Sequence, residues 1–326
     1  MKFDKGKIVL ISAVTLATLA SVVAIVPLRP DTGASRALSE ARPPQQQQQP
    51  VPALLSSSST TNEGRLAEVA SVAETPTSAP ALASPAEEQN RMLKDSLRWT
   101  FGGKQQRGWA IYIPLIQQLI GTDEDAASAG FAASLARWQK GQGLGAGGVL
   151  DEATLMRMIS TWQGQRVRSS AYPQPDQLVT VPATEFWDPS RADDLRKVER
   201  QTYAAYRRML AAAVADSSLQ LTTRGGELDA SEKYLKIISA FRSREYQDRL
   251  RKLEPGAGRA ALAVNSPHFT GRALDLYVGG EPTITKDPNR ALQTGTRAYR
   301  WLVRNARRFG FCPYFYEPWH WEYCAP

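Results

Sequence analysis

The chain has 326 residues, with 40 Lys and Arg against 32 Asp and Glu, giving a formal net charge of +8. That length exceeds one average domain and suits two folded units joined by connecting segments. The basic balance fits an anionic polymer or membrane surface, but no nucleic-acid module accompanies it, and nucleic acid is excluded as a partner.

Lys2, Lys5 and Lys7 precede an uncharged stretch from Ile8 to Leu28, close to the ~20 residues that cross a hydrocarbon core as a helix. The apolar run is long and no clean small-residue cleavage site follows it, so an uncleaved anchor is expected, not a signal peptide. Lysines on the short side hold that end in the cytoplasm. Residues 1–7 are therefore expected to form a cytoplasmic tail and residues 8–28 a single pass of the inner membrane, with everything beyond periplasmic or otherwise extracytoplasmic. Residues 29–89 are rich in Pro, Ser, Ala, Thr and Gln, including Gln45 to Gln49 and Ser56 to Ser59. Such a composition buries too little apolar surface to offset chain entropy, and a disordered tether is expected.

Aromatic and aliphatic residues return over 90–165. Ile113, Ile116, Leu119 and Ile120 recur at helical spacing before Gly121; Phe131, Leu135 and Trp138 do so before Gly141; Leu155, Met158 and Ile159 follow Asp151. The pattern predicts a small three-helix unit. Gly143 and Gly148 permit turn geometry between helices, while Asp151 and Glu152 suit a helix N-terminus.

A Pro-containing connector, 166–189, leads to a last unit at 190–326. There, Leu195, Val198, Thr202, Ala205, Tyr206, Met209 and Leu210 predict a long amphipathic helix. A strand is expected over Tyr234 to Ala240, a helix over Glu245 to Leu253, a strand over Leu274 to Val278, a helix over Thr296 to Phe309, and closing strands within Phe311 to Tyr323. Without a regular βαβ repeat, this unit is α+β with a mostly antiparallel sheet. Arg297, Arg300, Arg304, Arg307 and Arg308 fall on one face of the Thr296–Phe309 helix, opposite Trp301, Leu302 and Phe309, and are expected to be solvated.

The chain has only two histidines. His268 lies in SPHFTGRALD and His320 in EPWHWEY, each with an acid nearby. Catalytic zinc takes three protein ligands from His and Asp or Glu and leaves a fourth position for water. His268, Asp275 and His320 supply three. Glu317, three residues before His320, is placed as the base that removes a proton from that water. Thr270-Gly271-Arg272 offers a turn that lets positions 268 and 275 converge, and alternation then sends Ala273 and Asp275 to the open face and Leu274 and Leu276 to the core. Pro318 biases Glu317 to extended backbone, so EPWH is a bend or edge segment and not a helical HExxH. Arg242 suits the negative charge that develops on a scissile carbonyl, or the terminal carboxylate of a peptide.

Cys312 and Cys324 bracket Glu317 and His320. In an oxidising compartment they could pair, contributing on the order of 3 kcal/mol through chain entropy; two separate buried thiols are the alternative. Their spacing lacks the C-x-x-C pair that would suggest metal ligation.

Two resemblances follow. The stretch carrying Trp138, Gln139, Gly143, Leu144, Gly148, Val149, Asp151 and Thr154 resembles the peptidoglycan-binding repeat domain. The pattern S-x-H-x-x-G-x-A-x-D, matched by Ser266, His268, Gly271, Ala273 and Asp275, together with E-x-x-H at Glu317 and His320, resembles the VanY-type D-alanyl-D-alanine carboxypeptidases of the LAS metallopeptidases. Phe241, Arg242, Ser243 and Gln247 match a third element of that family. The resemblance implies a LAS-type fold, zinc held by His268, Asp275 and His320, Glu317 as base, and Arg242 as the substrate-polarising arginine. It also implies Ser266, Gln247 and Trp319 as substrate contacts. The expected activity is removal of the terminal D-Ala from peptidoglycan stem peptides in the cell envelope. The rivals are a peptidoglycan endopeptidase or a D-Ala-D-Ala dipeptidase on the same scaffold, and a non-catalytic wall-binding protein. Family dipeptidases tend to carry a bulky aromatic where this chain has Pro318, which favours a polymeric substrate.

Overall fold

The computed structural model describes residues 84–253 and 266–325; the expected anchor and residues 29–83 of the expected tether lie outside them. Among the described residues, no helix is long and apolar enough to cross a membrane. The first element, α1 (Pro85–Ser96), begins inside the stretch read as tether. A reciprocal cap explains the start: Ser84 Oγ accepts from the Glu87 backbone and the Glu87 carboxylate from the Ser84 backbone, with Pro85 in the first turn. An unforeseen hairpin follows, β1 (Arg98–Phe101) and β2 (Lys104–Arg107). Gly102 and Gly103 both hold positive φ at its tip, which suits a two-residue loop between right-twisted strands.

The three helices read from periodicity are present as α2 (Ile113–Ile120), α3 (Ala129–Gly141) and α4 (Glu152–Gly164). Gln139 organises the turn between the last two. Its buried side-chain amide donates to Val149 O and Thr154 Oγ1 and accepts from Gly148 N, each at 2.9 Å. Asp151 Oδ1 caps α4 through Thr154 N. Gly148 is required twice over, by a φ of 69° and because a Cβ there would lie 2.6 Å from Ala132 O. The repeat-like signature therefore reports a packed turn. Asn90 on α1 ties into the same turn, donating to Gly148 O and accepting from Leu150 N.

In the last unit, β3 (Leu178–Thr180) pairs with β4 (Lys197–Glu199), so the long helix starts later than Leu195. It runs as α5 (Arg200–Val214), capped by the Glu199 carboxylate on Gln201 N and Thr202 N. A two-residue pair, β5 (Thr223–Arg224) with β6 (Glu227–Leu228), precedes β7 (Ile237–Ser239). β7 is shorter than the apolar run suggested, because Leu235 has a φ of 66° and the ladder shifts register between Ile237 and Ser239. Then come α6 (Arg244–Leu253), β8 (Ala273–Leu276), α7 (Asp287–Thr294), α8 (Arg297–Asn305) with a 3-10 extension to Phe309, β9 (Phe311–Pro313) and β10 (His320–Tyr323). α7 lies in a polar stretch whose periodicity gave no signal. The main sheet has order β7-β8-β10-β9 and is antiparallel throughout, as expected for the α+β unit. The five arginines of the α8 segment are exposed.

The helical module and the sheet unit share one hydrophobic cluster. Their junction is the β9–β10 loop. Phe315 packs against Phe101, Tyr112 and Trp162 of the module at ring-centroid distances of 4.8, 5.6 and 6.0 Å. Arg290, fully buried on α7, donates to Tyr112 Oη and lies 4.2 Å from the Tyr316 ring centroid. Cys312 and Cys324 are joined, with Cα atoms 5.9 Å apart, which closes the loop covalently. Of the two alternatives left open by the sequence, the disulfide is the one formed.

Candidate metal centre

Three strands present the site. Asp275 on β8 faces His320 on β10 across the ladder, and Ser239 on β7 is the partner of Asp275 on the other side. The alternation expected after Gly271 holds: Leu274, Leu276 and Trp321 enter the core, while Asp275 and His320 share the opposite face. His268 arrives from a short 3-10 turn, Pro267–Thr270, whose start is capped by Ser266 Oγ on His268 N at 3.4 Å. Gly271 ends that turn at a φ of 68°; its carbonyl accepts from Glu199 N, and an added Cβ would lie 3.0 Å from Glu199 Cβ. Only glycine serves there. Glu317 N bonds Tyr314 O and His320 N bonds Glu317 O, so EPWH is a tight turn into β10, as the sequence indicated.

Asp275 Oδ1 lies 3.3 Å from His268 Nε2 and 2.9 Å from His320 Nδ1. All three side chains are buried, and one ligand atom from each falls within 4.8 Å of the others. The far side of each ring fixes its tautomer. His268 Nδ1 sits 2.6 Å from Ala240 O, a pure acceptor, so Nδ1 carries the proton and Nε2 offers its lone pair. His320 Nε2 sits 3.1 Å from Glu322 Oε1, so Nε2 donates and Nδ1 is free to ligate. Two imidazole nitrogens and one carboxylate oxygen, converging on one point, are the protein donor set of a catalytic zinc site.

Arg242 reaches the same carboxylate from the other side: Nη2 donates to Asp275 Oδ2 at 2.8 Å and Nε to Ser239 Oγ at 3.0 Å. Arg242 thus orients the aspartate. Of the expected substrate contacts, Ser266 is engaged in capping, Trp319 is buried in the core cluster, and Gln247 on α6 is buried.

The electrostatics follow from burial and pairing. Burial pushes the Glu317 carboxyl up to about 7, only partly opposed by His320 and Arg242. Burial depresses His268 to about 4. Burial would lower His320 as well, but Asp275 and Glu322 overcome it and raise the ring to about 9. Asp275 is held well below the carboxylate range, against the pull of burial, by His268, His320 and Arg242. His268 is thus neutral with Nε2 open, while His320 holds a proton on each ring nitrogen until a metal displaces the one on Nδ1; a base near neutrality beside them is suited to deprotonating water.

Residues 196–326 match the family model of the VanY D-alanyl-D-alanine carboxypeptidases. The C-terminal domain is VanY-type. Among solved structures, the LdcB LD-carboxypeptidase aligns with a TM-score of 0.34 and 23% identity, covering 48% of this chain and 72% of that one. A variant of the VanY D,D-pentapeptidase from a VanB-type vancomycin-resistance cassette, in complex with Zn(II), aligns with a TM-score of 0.27 and 22% identity, covering 40% and 74%. Nothing among curated proteins matches the chain. His268, Asp275 and His320 of this VanY-type domain are the residues that would hold a metal ion.

Three residues around this VanY-type centre were not singled out from the sequence: Glu322, Ser239 and Arg166. Glu322 was legible in principle, since it lies two positions from His320 on one strand and must share its face. Arg166, 156 residues away in sequence from Glu322, carried no local signal.

Proposed function

We propose that the chain is a zinc D,D-carboxypeptidase that removes the terminal D-Ala from peptidoglycan stem peptides. The observation that carries this reading is the buried His268–Asp275–His320 triad beside a near-neutral Glu317, in a domain matched to D-alanyl-D-alanine carboxypeptidases. A bound zinc ion supplies Lewis acidity and a water of lowered pKa. Glu317 takes the proton of the attacking water and delivers it to the leaving amine as the C–N bond breaks, so the products are a shortened peptide carboxylate and free D-Ala. Arg242 has guanidinium donors beyond those on Asp275 and Ser239, and these receive the charge developing on the scissile carbonyl or the terminal carboxylate.

The helical module is read as the wall-binding part, keeping the catalytic domain at high effective concentration on its polymer. Placement outside the cytoplasm, behind an N-terminal inner-membrane anchor, is supported by the lysines before residue 8 and by the Cys312–Cys324 disulfide, a bond that persists in oxidising compartments.

Mass spectrometry after incubation of the zinc-loaded protein with pentapeptide, tetrapeptide and cross-linked muropeptides, and with free D-Ala-D-Ala, tests the proposal. Loss of one alanine from the pentapeptide alone is expected. Trimming of the tetrapeptide would point to L,D-carboxypeptidase activity, and cleaved cross-links or a split dipeptide to an endopeptidase or dipeptidase. No cleavage of any substrate would favour a wall-binding scaffold.

A further inference from the structure

The carboxylate behind His320 is held from outside the peptidase domain. Glu322 has no solvent exposure, and each of its oxygens is occupied. Oε1 accepts from His320 Nε2 at 3.1 Å and from Arg166 Nε at 2.8 Å and Nη2 at 2.5 Å; Oε2 accepts from Val167 N at 2.8 Å. Arg166 and Val167 open the connector just past α4 and its C-cap Gln165, thirty and twenty-nine positions before the VanY-type match begins at residue 196. Arg166 is itself fixed, with Nη1 on Gln163 Oε1 at 3.2 Å and its guanidinium 4.1 Å from the Tyr314 ring centroid. Across the ladder from Glu322 stands Ala273, a residue too small to compete for the space.

We propose that Arg166 and Glu322 are positioning residues for the metal, the arginine clamping the carboxylate that fixes His320 with Nδ1 turned to the zinc, so that the start of the connector, where the chain leaves the helical module, completes the metal site. An ionised carboxylate on Nε2 permits one tautomer only, and such partners of metal-binding histidines set both ring orientation and ligand basicity. A buried carboxylate without its cation is unfavourable as an ionised group, so Glu322 depends on the fork of Arg166 for its charge and its orientation. The junction between module and peptidase unit is thereby a structural part of catalysis, whatever the module binds. This inference rests on the metal reading of the triad, and is independent of which peptide bond is cut.

The test is zinc affinity of the full chain, measured by competition with a chromophoric chelator, for wild type, Arg166→Met, Arg166→Lys, Glu322→Gln and Tyr112→Phe. Arg166→Met and Glu322→Gln are expected to weaken zinc binding by about 10–100-fold, the range found when such outer partners are removed, with Arg166→Lys in between because it keeps charge and loses the fork. Tyr112→Phe removes another polar tie between the two parts, to Arg290 and remote from Glu322, and is expected to bind zinc within about twofold of wild type. Because the chain has only two histidines, imidazole nitrogen NMR of the zinc-loaded protein reads the tautomer directly. A proton on His320 Nε2 in wild type, with its resonance displaced in Arg166→Met, is the expected signature. Arg166→Lys keeps the test alive should Arg166→Met fail to fold. Unchanged affinity in the Arg166 and Glu322 variants would overturn the proposal, as would an equal loss in Tyr112→Phe, which would make docking in general the cause. A wild-type chain that takes up no zinc would instead overturn the metal reading.

Discussion

Asp275 and His320 are directly opposed across β8 and β10, with Oδ1 2.9 Å from Nδ1. The antiparallel register, set by the same strands that bury Leu274 and Trp321, therefore also sets the spacing of two metal ligands. Asp275→Asn keeps the shape and removes the charge. It is expected to weaken zinc binding by more than about 100-fold, since it removes a ligand where loss of outer partners alone costs 10–100-fold. Chelator competition on the purified chain measures it. Circular dichroism should show little change in secondary structure.

Glu317→Gln separates binding from chemistry. Zinc content should stay at one per chain while kcat falls by about 10²–10⁴-fold, the contribution typical of a positioned general base. Retention of full turnover would remove Glu317 from the mechanism.

The same substitution has a pH-dependent effect on stability. The folded carboxyl, pushed up to about 7, titrates above the 4.5 of an ordinary glutamate. Between those values the unfolded chain releases its proton first, so folding stability falls as pH rises from about 4.5 to about 7 and stays reduced above that. Metal-free Glu317→Gln escapes this loss. It should match wild type near pH 4 and exceed it at pH 8 by up to ~3 kcal/mol. Urea unfolding of both metal-free proteins across that range checks the sign.

The disulfide joins β9 to the residue after β10, around the loop that carries Glu317. Its removal by Cys312→Ser with Cys324→Ser should cost on the order of 3 kcal/mol in unfolding free energy for a closed loop of this size. Thermal unfolding of the oxidised wild type against the double variant provides the measurement.

Phe315 is the apolar centre of the junction between module and peptidase unit, stacked against Trp162 and edge-on to Phe101. Phe315→Ala is expected to destabilise by about 3–5 kcal/mol, as for other large-to-small changes at buried aromatics. Limited proteolysis should then cut between the two halves, within residues 166–177, where wild type resists.

The sequence made most of the centre legible because its signals are local. The two histidines, Gly271 as a turn, the alternation from Ala273 to Leu276 and the extended bias from Pro318 all act within a few residues. Periodicity likewise found α2, α3, α4, α6 and α8. It missed the β1–β2 hairpin, whose polar strands lie on the surface, and α7, a helix with few apolar residues. It placed the start of α5 too early because Leu195 and Val198 continue the apolar rhythm while the backbone is already a strand and a turn. Arg242 was found by motif and given to substrate, whereas its contact with Asp275 depends on β7 lying beside β8. The Arg166–Glu322 pair and the packing of Phe315 under the module are relations between distant segments, which no local pattern encodes.

The central claim is tested most directly by diffraction from zinc-loaded crystals at the zinc absorption edge. The account predicts one anomalous peak per chain, bounded by His268 Nε2, Asp275 Oδ1 and His320 Nδ1 at about 2.0–2.2 Å, with His320 Nε2 still on Glu322. A peak elsewhere, no peak, or ligation through His320 Nε2 would contradict it.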